Sequence, residues 1–106
     1  MKKKLDLIPP GTILYEEFME PLGITAYKLS KDIKIQQTAI SQIINGSRRI
    51  TADMALRLSR YFGNSAQFWL NLQNHHDLEA KLEEKEYLFQ EIIPYSQVAE
   101  KQATYA

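Results

Sequence analysis

No stretch constrains this chain more than Thr25 to Gly46, TAYKLSKDIKIQQTAISQIING. Its apolar or small side chains fall at Leu29, Ser30, Ile33, Ile35, Ile40 and Ile43. Leu29 and Ile33 lie four apart, Ile40 and Ile43 three apart, so each pair marks one face of a short helix. Ile35 falls between the two, where it can plug the wedge. The pattern predicts a helix-turn-helix. Left outward on its second helix are Gln37, Thr38, Ser41 and Gln42, side chains that both donate and accept hydrogen bonds. Amides can bond adenine N6 and N7 together in the major groove, whereas an ordinary surface helix more often carries Glu and Lys. These four are the expected base-reading residues. Gln36 stands at the helix N-terminus, within reach of a phosphate.

A net charge of zero argues at first against a nucleic-acid partner, but the charge is unevenly spread. Residues 25 to 60 hold seven bases (Lys28, Lys31, Lys34, Arg48, Arg49, Arg57, Arg60) against Asp32 and Asp53, a local +5. Residues 74 to 106 hold seven acids against three lysines, a local −4. A basic segment that coincides with the helix-turn-helix pattern is the footprint of a phosphate-contacting surface. Arg48 and Arg49, in the loop after the second helix, are the leading phosphate contacts, with Lys28 and Lys34 behind them.

The flanking sequence also reads as helix. Pro10 suits a first helical position. Ile13, Leu14, Phe18 and Leu22 follow as the inner face, and Pro21 and Gly23 mark the stop. Thr25, Thr51 and Ser65 are good N-caps for three further helices. Asn45-Gly46 closes one helix and Gly63 another. Ala55, Leu58 and Phe62 are core-spaced, and Phe68, Trp69 and Leu72 open the fifth helix. The expectation is all-α, with five helices. The fifth can continue through Leu78, Leu82, Phe89 and Ile93 until Pro94 ends it. The apolar run from Tyr87 to Tyr95 either folds back on the core or offers a surface to a partner. From Gln97 onward a polar tail is expected to fray.

The chain resembles the HigA/VapI antitoxins, members of the Xre/Cro-repressor superfamily with a lambda-repressor-like helix-turn-helix domain. The resemblance rests on Pro9-Pro10-Gly11-Thr12-Ile13-Leu14, Glu16-Glu17-Phe18 and Glu20-Pro21-Leu22-Gly23. It continues through Ile50-Thr51-Ala52-Asp53, Ala55-Leu56-Arg57-Leu58, Tyr61-Phe62-Gly63 and, most distinctively, Phe68-Trp69-Leu70-Asn71-Leu72-Gln73. Three positions depart from the family pattern: Pro9 replaces a histidine, Lys34 the turn glycine, and Ser30 a small alanine. A lysine at 34 must hold a left-handed conformation at some cost or use a different turn. The expected division is a DNA-binding domain over 1–78 and a C-terminal extension over 79–106. The resemblance implies a homodimer that represses its own operon and neutralises a RelE-like messenger-RNA endonuclease. Leu78, Leu82, Phe89 and Ile93 are the expected dimer or toxin contacts.

Two other readings stand beside this one: a stand-alone or phage-type repressor without a toxin, and a protein-interaction module that has lost DNA binding. A small toxin-like reading frame beside the gene separates the first two. Enzymatic readings are poor. His75 and His76 are adjacent, so on a helix they diverge by about 100° and cannot share one ion. Glu16-Glu17 and Glu83-Glu84 read as solvated faces, and no phosphate loop or nucleophile motif is present. Neither metal nor cofactor is expected. Cysteine is absent, so disulfides and thiolate zinc sites are ruled out. No apolar run approaches the ~20 residues of a membrane span. After Met1-Lys2-Lys3-Lys4 the apolar run is too short for a signal peptide, so a cytoplasmic location is expected.

Overall fold

The computed structural model describes residues 8–98, and every regular element among them is helical. Helix α1 is wound in three parts, Pro10–Ile13, Leu14–Met19 and Glu20–Leu22, of which the middle one is π-helical. Then come α2 (Ala26–Ile33), α3 (Gln37–Ile44), α4 (Ala52–Phe62) and α5 (Ala66–Phe89). A last helical turn covers residues 95–98.

The helix starts follow their caps. The Thr25, Thr51 and Ser65 hydroxyls accept from the Lys28, Met54 and Phe68 amides at 3.0, 3.3 and 3.0 Å. Each bond satisfies an amide that the first turn otherwise leaves orphaned. Gly23 and Gly63 close α1 and α4 in the left-handed conformation.

In α1 the inner face differs from the one that simple helical spacing predicts. Leu14 and Met19, five residues apart, are wholly buried, whereas Leu22 is 65% exposed. The π-turn is the reason. Glu20 donates to the Tyr15 carbonyl five residues back, so the buried stripe advances by five instead of four. The Ile24 amide, past the left-handed Gly23, closes the helix end on the Met19 carbonyl. Pro21 has no N–H to offer the Glu17 carbonyl and would crowd it in a regular α-turn. The wider winding accommodates that proline.

The core gathers Leu14 and Met19 from α1, Leu29 and Ile33 from α2, Ile40 and Ile43 from α3, and Ile50 from the following loop. Met54, Ala55 and Leu58 of α4 and Trp69 of α5 complete it. Beside it, the Phe18 ring lies 4.8 Å from Trp69, 5.2 Å from Phe62 and 5.8 Å from Phe68. Edge-on and tilted pairs of this kind add to the gain from burial. The indole N–H of Trp69 donates to Asn64 Oδ1 at 3.0 Å. Gly11 fixes how closely α1 approaches α3. A Cβ there would overlap the Ile43 carbonyl group and sit 2.8 Å from Ile44 Cα.

Helix α5 continues beyond the core as expected, but only Trp69 and Gln73 in it are buried. Lys85 breaks the winding (φ −131°, ψ 18°), and Gln90 caps the end, so Ile93 and Pro94 lie past the helix. The segment does not fold back: Tyr87, Leu88, Phe89, Ile92, Ile93 and Tyr95 are all exposed. Gln97 and Val98, expected to fray, instead donate to the Pro94 carbonyl at 3.0 and 3.2 Å. The rest of the polar tail and Met1 to Lys4 lie outside the described residues. Among the described residues no helix is long and apolar enough to cross a membrane.

Candidate nucleic-acid interface

The α2–turn–α3 unit is held from behind. Leu29, Ser30 and Ile33 of α2 and Ile40 and Ile43 of α3 are buried, and Ile35 is half-buried between them. The Ser30 hydroxyl donates to the Tyr27 carbonyl at 2.6 Å, so a serine meets the need for a small residue there without leaving a polar group unpaired. Lys34 takes the left-handed conformation (φ 62°, ψ 48°), the only non-glycine among the described residues to do so. The Ile35 amide then donates back to the Ser30 carbonyl at 3.0 Å, which closes the turn.

With Ile40 and Ile43 buried, α3 presents Gln37, Thr38 and Ser41 to solvent, and Gln36 is exposed just before it. Gln37 and Ser41 are one turn apart with Thr38 beside them, so three donor–acceptor side chains share one face. Gln42 is different. It is half-buried, and its Oε1 accepts from Arg48 Nε at 2.9 Å. A bidentate contact from Gln42 to adenine therefore requires that bond to be exchanged.

The basic loop is stapled at both ends. The Ser47 and Arg48 amides donate to the Gln42 carbonyl at 2.9 and 3.2 Å, and Asn45 Oδ1 accepts from the Ser47 amide at 2.9 Å. At the far end Ile50 is buried and its amide donates to Gln73 Oε1 at 2.6 Å. Gln73 Nε2 in turn donates to Asp77 Oδ1 at 3.0 Å, and Asp77 Oδ2 pairs with Arg49. Arg48 and Arg49 both point outward, but each already holds an internal partner. A phosphate must replace Asp77 at Arg49 by exchange. The Arg49 and Gln73 bonds hold the Asp77 carboxyl below its ordinary range, against the desolvation that pushes it up most.

The other two lysines also differ from one another. Lys28 pairs with Asp32 at 3.0 Å, and Tyr61 Oη donates to the same carboxylate at 2.6 Å. The Tyr61 bond, then that of Lys28, draws Asp32 below its usual range; Asp32 raises Lys28 and Tyr61 in return. Lys34 instead edges a groove with Tyr27, Lys31, Ile35, Gln36 and Gln37 at the start of α3. Tyr27 is 59% exposed, and Lys31 Nζ lies 5.3 Å over its ring. Sequence reasoning counted Lys31 only as charge and passed over Tyr27. Their spacing of four in a short helix was the available signal. Gln73 and Asp77 were missed because their partners lie in a distant loop.

Leu78 and Leu82 on α5, Phe89 at its end and Ile93 beyond it are 65%, 39%, 39% and 52% exposed. His75 and His76 form no metal cluster, and no group of three His, Cys, Asp or Glu could hold a cation among the described residues.

Known proteins fit this geometry. The helix-turn-helix family pattern matches residues 16–69. Virulence-associated protein I of Dichelobacter nodosus is 43% identical over 95 residues, 90% of this chain and 87% of that protein. The structure of Pseudomonas aeruginosa antitoxin HigA with the higBA promoter superposes with a TM-score of 0.79 at 39% identity, covering 82% of this chain and 96% of that one. An addiction-module antidote protein of the HigA family from Coxiella burnetii gives 0.78 at 40% identity, over 83% and 97%.

Proposed function

The chain belongs to the helix-turn-helix family, among its HigA/VapI-type antitoxins, and from that premise we propose that it represses its own operon and neutralises a cognate toxin. It is a regulator and not an enzyme. The observation that carries the DNA-binding half is the outward face of α3. Gln37, Thr38 and Ser41 are exposed while Ile40 and Ile43 anchor the helix behind them. In this reading Gln37, Thr38, Ser41 and Gln42 read bases. Gln36, Arg48, Arg49, Lys28 and Lys34 hold phosphates, and Tyr27 and Lys31 reinforce that set. The protein acts in the cytoplasm, where its operator is.

One unit of this size offers little buried area for a specific complex. Two copies on half-sites about 34–36 Å apart remedy that, so the bound form is a homodimer on a palindrome. The exposed apolar residues of α5 and beyond supply the protein contacts, with Leu78 and Leu82 assigned to the dimer. Phe89 and Ile93 lie in the acidic C-terminal region, which suits a basic partner such as a RelE-like messenger-RNA endonuclease that must itself bind phosphate.

The test is titration of the protein against DNA from upstream of its own gene, beside unrelated duplex. Gln37→Ala should cost about 1–3 kcal/mol on the operator and leave unrelated DNA nearly unchanged. Equal losses on both duplexes would remove Gln37 from base reading. Protection of messenger RNA from the product of the adjacent reading frame tests the toxin half.

A further inference from the structure

Arg57 belongs to the basic segment by sequence, yet its side chain turns inward. From α4 its guanidinium Nη1 donates to the Ile33 carbonyl at 2.8 Å and reaches the Lys34 carbonyl at 3.4 Å. Its Nε donates to Asp53 Oδ2 at 2.8 Å, which holds the guanidinium plane. The two carbonyls are those at the C-terminal end of α2 and of the left-handed residue that follows. Carbonyls at such an end have no helical partner, and a cation is favoured there by the helix dipole. A left-handed backbone at a residue with a Cβ is disfavoured on the order of tenfold, and Lys34 holds one where glycine would do so freely.

We propose that Arg57 is a positioning residue for DNA recognition: its guanidinium holds Lys34 in the left-handed turn and so sets the placement of α3 against α2. It acts on the base-reading face through the backbone and takes no phosphate itself. The side chain is 37% exposed, while Arg48 and Arg49 in the loop after α3 lie on the surface. This inference rests on the DNA-binding reading above and adds a residue that reading left out.

The experiment compares wild type, Arg57→Gln, Lys34→Gly and the double variant, all well below their melting temperatures. Binding to the chain's own promoter DNA is measured across a salt series, and exchange of the Ile35 amide is followed in the free protein. Arg57→Gln should weaken operator binding roughly tenfold with an unchanged salt slope, because every phosphate keeps its partner. It should also speed exchange of the Ile35 amide. Lys34→Gly should recover most of that tenfold loss, since glycine takes the turn without the clamp. That recovery is measured against Lys34→Gly alone, so the removal of the lysine side chain itself cancels. A salt slope smaller by about 0.9 would make Arg57 a phosphate ligand and overturn the proposal. Failure of Lys34→Gly to recover binding, or unchanged affinity in Arg57→Gln, would overturn it as well. Wild-type protein that binds no promoter DNA overturns the DNA-binding reading, and the recognition role of Arg57 with it. Ile35 exchange then separates the two failures, because an unchanged rate in Arg57→Gln shows that the clamp itself is absent.

Discussion

The α2–turn–α3 unit and the far half of α5 carry the same kind of signal in sequence and meet opposite fates. Both show apolar residues at helical spacing. In the first, Leu29, Ile33, Ile40 and Ile43 are all buried; in the second, Leu78, Leu82 and Phe89 stay in solvent. Periodicity fixes which face of a helix is apolar, but not whether the same chain can reach that face. Around α2 and α3 there is always another element within reach. Past Asp77, α5 has left the core, so its stripe meets no other element of the chain among the described residues. Burial on one side stiffens the polar face opposite, whereas exposure on the other side leaves apolar area free for association.

The sharpest way to break this contrast is at Gly11, where the buried unit has no slack. Gly11→Ala should lower stability by about 3 kcal/mol, because a methyl there displaces backbone rather than a side-chain tip. Leu78→Ala in the same buffer should stay within about 0.5 kcal/mol in the monomer. Urea midpoints of the two variants decide the matter, and comparable losses would erase the distinction.

Next in size is Leu78→Glu with Leu82→Glu. If burial in a dimer is worth about 1.5–3 kcal/mol per leucine, the pair should raise the dimer dissociation constant at least tenfold. Sedimentation equilibrium measures it, and helix content should not change. A dimer that persists unaltered would move the interface elsewhere.

A smaller effect is expected in the basic loop. Arg48→Ala with Arg49→Ala should reduce the salt slope of operator binding by about 0.9 for each phosphate left without its arginine. Asp77→Asn should act oppositely, tightening binding at low salt because Arg49 no longer has to be drawn from an internal carboxylate. An unchanged slope in the double alanine variant would clear both arginines of the role.

The smallest effect lies in the Lys28–Asp32–Tyr61 set. The folded-state pKa of Asp32 is depressed, so its contribution to stability is present above the unfolded value of about 3.9. It is lost as pH falls through the lower folded value. Asp32→Asn should therefore match wild type at low pH and fall below it by a small, constant amount above about pH 4, which flattens the acid limb of a stability-against-pH curve. A difference from wild type that grows on the alkaline side instead would contradict this assignment.

The sequence was most readable where one residue decides one local event. Thr25, Thr51 and Ser65 start helices because of their own hydroxyls, and Ile40 and Ile43 choose the buried side of α3 by spacing alone. Lys34 was readable as a position that had to be left-handed or different, and it is left-handed. Legibility failed where a winding or a partner lay outside the local pattern. Met19 replaces Leu22 in the core because of the π-turn, which no apolar spacing of three or four can signal. Gln73, a polar residue on an otherwise apolar face, is buried only because the Ile50 amide 23 residues away needs an acceptor. Arg57 looked like surface charge until α4 was laid beside the end of α2. Of the candidate site, the face on α3 was visible in the sequence, while the ties that hold Gln42, Arg49 and Lys28 were not.

The close approach at Gly11 has one more consequence, for how such a chain can change its target. Backbone rests on backbone where α1 meets the end of α3, with no side chain between them to act as a shim. Drift in sequence at this contact cannot easily tilt α3 by a few degrees, since no compressible layer exists there to absorb the movement. On the DNA-binding reading proposed above, the direct route to a new operator is exchange of the exposed residues 37, 38 and 41 on a seat that this contact steadies. The same property makes the scaffold a frame for transplantation: the three exposed positions can be rewritten as a set while the seat beneath them stays put.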